Sequence, residues 1–273
     1  MNTLDSLKES AIEIRKNIIR MVTEAKSGHP GGSLSAVEIL TSLYFVEMNI
    51  NKDNISDNNR DKFVLSKGHA SPLLYSTLAE KGLLDKSELL SFRRINSRLQ
   101  GHPNMNYLEA VDMSTGSLGQ GISSAVGMAL SNKIHKNTNR VYVLLGDGEL
   151  EEGQVWEAAM CAAHYKLDNL LAIVDFNGLQ IDGDITKVMN PTPIDSKFEA
   201  FGWNVITVDG HNFEELLSAY KDARDTKDIP TVIIAKTIKG KGVSFMENKA
   251  EWHGTAPSPS QLEAAILELG GIK

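Results

Sequence analysis

Five short apolar runs, at 62–65, 140–145, 170–176, 203–208 and 231–236, divide the chain between stretches of helical patterning. Two of them, Val141-Tyr142-Val143-Leu144-Leu145 and Leu170-Leu171-Ala172-Ile173-Val174, show no alternation of polar and apolar residues. A strand with one wetted face alternates, whereas a strand without alternation is covered on both faces. Helical patterns at 121–136, 150–165 and 213–225 supply that cover. The fold class is therefore α/β, with a parallel sheet of about five or six strands and helices on both faces.

Upstream, Leu4, Leu7, Ala11, Ile14, Ile18, Met21 and Ala25 recur at helical steps, and Ser27-Gly28 ends that helix. A second helix is expected at 36–48, and the polar segment 51–60 reads as a loop. No internal repeat, low-complexity tract or linker interrupts the pattern, so residues 1–273 read as one domain. That length supports a substantial core.

The formal net charge of −7, with no basic block, argues against nucleic-acid binding. No run approaches membrane-spanning length, and residues 1–16 are charged and amphipathic, unlike a secretory signal. A cytoplasmic protein is the default expectation. Cys161, the single cysteine, excludes an internal disulfide; its alanine-rich surroundings predict a buried structural thiol.

Sheets of this class bind ligands at the carboxyl ends of their strands. Gly68-His69 follows the first run, Gly146-Asp147-Gly148 the second, Asn177 the third and Lys239-Gly240-Lys241-Gly242 the last. A strand, a helix and a parallel strand put Asp147 and Asn177 on one edge. An aspartate oxygen, an asparagine amide oxygen and a nearby carbonyl are hard ligands suited to Mg²⁺, with Ca²⁺ or Mn²⁺ as substitutes. The pair reads as a seat for a metal-bound diphosphate. Asp-Gly and Asn-Gly are also common turn dipeptides, so neither half is decisive alone.

His29, His69, His102 and His253 each adjoin a glycine in a predicted loop, where polar chemistry is usually placed. His135 and His164 lie on helical patterns and read as surface or packing residues. His211, in Val208-Asp209-Gly210-His211, reads as structural. Glu149 and Glu151 read as a solvated first turn that favours the helix dipole.

The order of these motifs resembles transketolase. Ser27-Gly28-His29-Pro30-Gly31-Gly32, Leu65-Ser66-Lys67-Gly68-His69-Ala70, Gly101-His102-Pro103, Ser114-Thr115-Gly116-Ser117-Leu118-Gly119-Gln120-Gly121, Glu152-Gly153 and Trp252-His253-Gly254 carry the likeness over nearly the whole chain. Ser117 departs from the pattern, since many transketolases have proline there. The resemblance implies thiamine diphosphate as cofactor, its metal held by Asp147, Asn177 and the Leu179 carbonyl. It implies that Gly116, Ser117 and Leu118 line the cofactor, with Leu118 near the thiazolium ring. Gly148 would give a backbone N–H to the diphosphate, with His69 and His253 beside it. His29 and His253 would contact the reacting ketose, and His102 its terminal hydroxyl. By family position Glu152 belongs to an acidic network between subunits.

Transketolases activate this cofactor with a glutamate on a second domain, and the sequence matches only the diphosphate-binding domain. The resemblance thus implies the amino-terminal subunit of a split transketolase. A separate carboxyl-terminal, transketolase-like chain would carry the glutamate, in a heterotetramer acting on sugar phosphates. The corresponding subunit of a 2-oxo acid dehydrogenase, a split deoxyxylulose-phosphate synthase and a non-catalytic thiamine-diphosphate-binding protein remain as alternatives.

Overall fold

The computed structural model describes residues 3–271. Met1 and Asn2, which open the segment read as lacking a secretory signal, lie outside them, as do Ile272 and Lys273. Five strands, β1 (Lys62–Leu65), β2 (Val141–Gly146), β3 (Leu170–Phe176), β6 (Asn204–Asp209) and β7 (Thr231–Lys236), form one sheet. Its order is β1-β2-β3-β7-β6, and every neighbouring pair is parallel. The apolar runs are these strands, with β2 and β6 each displaced by one residue.

The register explains why the runs carry no alternation. One row across the sheet reads Leu65, Leu144, Ile173, Ile233 and Ile206. It packs with α1 (Thr3–Ala25), α2 (Pro30–Leu34), α3 (Val37–Ser42), α4 (Ser71–Lys81), α9 (Phe213–Asp225) and α10 (Pro259–Glu268). The adjacent row, Val64, Val143, Ala172, Val232 and Val205, faces the other way. It packs with α5 (Gln120–Ile134), α6 (Gly153–His164) and α8 (Ile194–Ala200). Successive strand residues point to opposite faces, and both faces are dry along β1, β2, β3 and β7, while the edge strand β6 is only partly covered and exposes Thr207. None of the described helices is long and apolar enough to cross a membrane.

Three local features differ from expectation. The helix expected at 36–48 is α3 followed by a wider π-helical turn, Leu43–Glu47. A small antiparallel hairpin, β4 (Leu179–Gln180) with β5 (Gly183–Asp184), follows Asn177 and leads into α7 (Ile185–Val188). Two-residue strands leave no periodic signal. Cys161 is only partly buried, because Ala158, Ala159 and Ala162 take the core-facing positions of α6.

At the carboxyl edge one buried ion pair joins distant segments. Asp175, in β3, receives the Lys67 ammonium, the Ser35 and Thr237 hydroxyls and, at 3.3 Å, the Asn177 side-chain amide. Lys67 also donates to the Gly32 carbonyl at 2.8 Å. Burial alone would raise the Asp175 pKa, but Lys67 and the two hydroxyls hold it below the usual carboxylate range. Removing one partner strands a buried charge, whereas removing both does not. Asp175→Ala should therefore lose about 3–5 kcal/mol in denaturant unfolding, and Lys67→Met combined with Asp175→Ala should lose less.

Candidate active site

Loops from the ends of β1, β2, β3 and β7 enclose a cavity of about 210 Å³. His69 enters after β1, Asp147 and Gly148 after β2, Asn177 and Leu179 after β3, and Lys239 after β7. Gly116 and Leu118 close one side; His29 and His253 arrive from opposite ends of the sequence. The predicted residues thus converge, with two exceptions. Ser117 is exposed and His102 stands at the rim; neither lines the cavity.

Glycine makes the convergence possible at two contacts. A Cβ on Gly31 would lie 2.9 Å from the Trp252 carbonyl oxygen, so only glycine lets the segment carrying His253 lie on α2. A Cβ on Gly68 would lie 2.8 Å from the Gly116 nitrogen. That approach brings the His69 turn against the loop bearing Leu118.

The resulting histidine group is close-packed. Ring centroids lie 5.3 Å apart for His29 and His69, 5.4 Å for His29 and His253, and 5.1 Å for His69 and His253. His102 is 6.5 Å from His29. Burial, then nearby positive groups, pushes His29 down to about 4 and His253 to about 3, and places His69 well below its ordinary value. All three are neutral at physiological pH. The Lys239 ammonium lies 3.0 Å from His253 Nδ1. An ammonium only donates, so Nδ1 accepts and the His253 proton resides on Nε2. The buried His29 Nδ1 has no hydrogen-bond partner among the described residues.

Asp147 is 2 % exposed and has no ion-pair partner among the described residues. Its oxygens accept the Gly148 N–H at 2.8 Å and the Gly178 N–H at 2.5 Å. Burial and the neighbouring Asp175 charge raise its pKa to about 6. A carboxylate so placed gains from a cation beside it. Asn177 turns its amide nitrogen to Asp175, which directs its oxygen away from that carboxylate. The oxygen meets the Leu179 N–H at 3.2 Å and retains a second lone pair. The Leu179 carbonyl receives the Lys239 ammonium at 2.9 Å. One carboxylate, one amide oxygen and one carbonyl fit a hard divalent ion, and Lys239 adds a positive charge suited to phosphate oxygens. Burial first, and then the Lys67 charge, lowers Lys239 to about 8.

Glu149 overturns the reading of a solvated turn. It is 2 % exposed and accepts the Ser66 hydroxyl, the Gly119 N–H at 2.9 Å and the Gly146 N–H at 3.0 Å. It joins the loop bearing Leu118 to the one bearing Asp147, and burial raises its pKa. Glu151 is partly buried and accepts the Gln180 amide at 2.7 Å; Glu152 is exposed. His135 and His164 are exposed, as expected. Lys67, Asp175 and Glu149 were not singled out from the sequence as site residues; the only signal for Lys67 was its place beside Gly68-His69.

Residues 7–270 match the family described as transketolase, thiamine diphosphate binding domain. The chain belongs to the transketolase family. It is 44% identical over 264 residues to the 6-deoxy-6-sulfo-D-fructose transketolase subunit SqwG of Clostridium sp. (strain MSTE9), covering 96% of each chain. It is 40% identical to an apulose-4-phosphate transketolase subunit of Phocaeicola vulgatus, covering 97% of this chain and 94% of that one. Against human transketolase the identity is 46%, and the match spans only 42% of the human chain. The crystal structure of Campylobacter jejuni transketolase superposes with a TM-score of 0.93 at 37% identity, over 99% of this chain and 43% of that one. The transketolase fold read from the sequence is thus present, and the match spans most of the two subunit relatives but less than half of the human and Campylobacter chains.

The neutral histidines set a pH dependence. An unfolded chain takes up a proton at His253 near 6.5, the folded chain only near 3. The unfolded state therefore binds more protons as pH falls below 6.5, and stability declines. In urea unfolding at pH 7 and pH 5, His253→Gln should shrink that decline by about 1–2 kcal/mol.

Proposed function

We propose that this chain is the amino-terminal subunit of a split transketolase, transferring a two-carbon ketol unit from a ketose phosphate to an aldose phosphate. The observation that carries the reading is the single cavity in which neutral His29, His69 and His253 stand beside Asp147, Asn177 and Leu179. The relatives of matching length, named as transketolase subunits, support it over the 2-oxo acid dehydrogenase, deoxyxylulose-phosphate synthase and non-catalytic alternatives.

In this reading Asp147, Asn177 and the Leu179 carbonyl would hold Mg²⁺, or Ca²⁺ or Mn²⁺, and Lys239 would share the diphosphate charge. The Gly148 N–H, at the cavity wall, would serve the diphosphate. Gly116 and Leu118 would line thiamine diphosphate, with Ser117 between them outside the cavity wall and His69 and His253 beside the cofactor. The bound cofactor supplies a nucleophilic carbon and an electron sink for carbon–carbon cleavage. His253 presents its Nε2–H to a sugar oxygen, because Lys239 occupies the other nitrogen. His29, neutral and near it, accepts or donates a proton at a ketose hydroxyl, and His102 at the rim meets the terminal hydroxyl.

The partner subunit brings the pyrimidine-binding and carboxyl-terminal domains, with the glutamate that activates the cofactor. Two copies of each chain form a heterotetramer. Ile181, 68% exposed, lines the cavity, and Met189, 63% exposed, follows on the same segment. An exposed apolar group such as Ile181 at the cavity suits a second wall. A cytoplasmic setting goes with charged sugar phosphate substrates.

The assembly is tested by reconstitution. Activity should appear only when this chain is mixed with a carboxyl-terminal transketolase-like subunit, and it should elute with the larger complex. Ketol transfer by this chain alone would overturn the proposal.

In the assembled enzyme Asp147→Ala should abolish Mg²⁺-dependent binding of thiamine diphosphate in calorimetry; unchanged affinity would reject the metal assignment. His29→Ala and His253→Ala should each lower turnover by roughly 10²–10⁴. His135→Ala should change little, and equal small effects at all three positions would count against a substrate role.

A further inference from the structure

A charged chain of side chains lining a separate cleft takes no part in the chemistry above. It runs from Arg15 on α1, through Glu38 on α3, to His211 in the turn between β6 and α9. Arg15 Nη2 lies 2.7 Å from Glu38 Oε1 and 2.8 Å from Oε2, and His211 Nδ1 lies 3.0 Å from Oε2. The Ile238 N–H donates to His211 Nε2 at 2.9 Å. A ring nitrogen that accepts holds no proton, so His211 carries its proton on Nδ1 and gives it to Glu38. The structural role read for His211 from the sequence is thus present, and it has a specific target.

That target is the loop after β7. His211 holds the Ile238 N–H, and Arg15 Nε donates to the Lys241 carbonyl at 3.0 Å. The two anchored points flank Lys239, whose ammonium enters the cavity. A third tether, the Gly240 N–H to the Gly31 carbonyl at 3.0 Å, joins the same loop to α2 beside His29. A lysine side chain has several rotatable bonds, and its head group is placed only as well as its backbone.

We propose that Arg15, Glu38 and His211 form a clamp that positions Lys239 for the phosphate oxygens of a ligand in the active-site cavity. The proposal rests on the reading of that cavity as a diphosphate site. His211 is a positioning residue in this scheme: it acts on the ligand only through the Ile238 amide and the lysine that follows. Glu38 fixes the His211 tautomer, so that an acceptor rather than a donor faces Ile238.

Two substitutions separate positioning from bulk stability. Glutamine can place an oxygen near the Nε2 position, whereas asparagine reaches only as far as Nδ1. In the 273-residue chain without cofactor, His211→Asn should speed hydrogen exchange across 238–241 about tenfold while the β3 and β7 amides stay unchanged. His211→Gln should exchange like the wild type. In the enzyme assembled with its partner, calorimetry with Mg²⁺ and thiamine diphosphate should show about tenfold weaker binding for His211→Asn and recovery in His211→Gln. His211→Asn should add no further loss in a Lys239→Met background.

Unchanged exchange in His211→Asn would overturn the clamp. So would faster exchange throughout the sheet in both variants, or losses that add to that of Lys239→Met. If the wild-type assembly binds no thiamine diphosphate, the diphosphate reading fails, while the exchange measurement still decides whether His211 holds the loop.

Discussion

A single carboxylate, shut away from water, sets the geometry of the carboxyl edge. Asp175 gathers donors from the ends of β1, β3 and β7 and from Ser35 at the end of α2. A buried charge is tolerable only when its hydrogen-bonding capacity is filled, so these segments cannot move independently. The same carboxylate orients Asn177, whose amide nitrogen is engaged and whose oxygen is turned away. Asp175 touches no part of the histidine group, yet Lys67 joins it to the Gly32 carbonyl and so to the helix that follows His29.

The second organising feature is the unequal pairing of two lysines. Lys67 and Lys239 bring two ammonium groups to the cavity, and Asp147, Glu149 and the adjoining Asp175 are the carboxylates around them. Lys67 is spent on Asp175, but Lys239 is held by a carbonyl and a neutral imidazole. Among the described residues, Lys239 thus enters the cavity with no carboxylate in hydrogen-bond contact. The histidines stay neutral chiefly because they are buried, with the nearby positive groups adding to that effect, and so can both accept and donate. A polyanion and a polyhydroxylated substrate would find different chemistry on adjacent walls.

What could be read from the sequence follows from the range of each signal. The strands were legible because parallel strands buried on both faces leave continuous apolar runs, and their ends located Asp147 and Asn177. The loop histidines were legible because each sits in a short run with glycine. Glu149 was misread because its local sequence is that of an exposed helix start; its burial comes from Ser66 and Gly119, far away in the chain. Asp175 was hidden inside an apolar strand for the same reason. Lys239 was located only as part of a strand-end run, since its reach toward His253 and Leu179 depends on how the loop is folded back. Residue type and local pattern fix where a chain is buried, but not which distant donor meets a lone carboxylate.

The contact between Gly31 and the Trp252 carbonyl bears on the order in which the protein is made. The segment with His253 lies against a helix formed near the beginning of the chain, and the sheet between them contains none of its residues. On the ribosome, the five strands and the Asp175 cluster can therefore be in place while the histidine group is still incomplete. Contacts of such long sequence separation form late, because the loop they close is ordered only at the end. A nascent chain passes through a stage with the floor of the cavity built and its sugar-facing wall missing. Competence for binding therefore waits until residue 253 has been made, well after the last strand of the sheet.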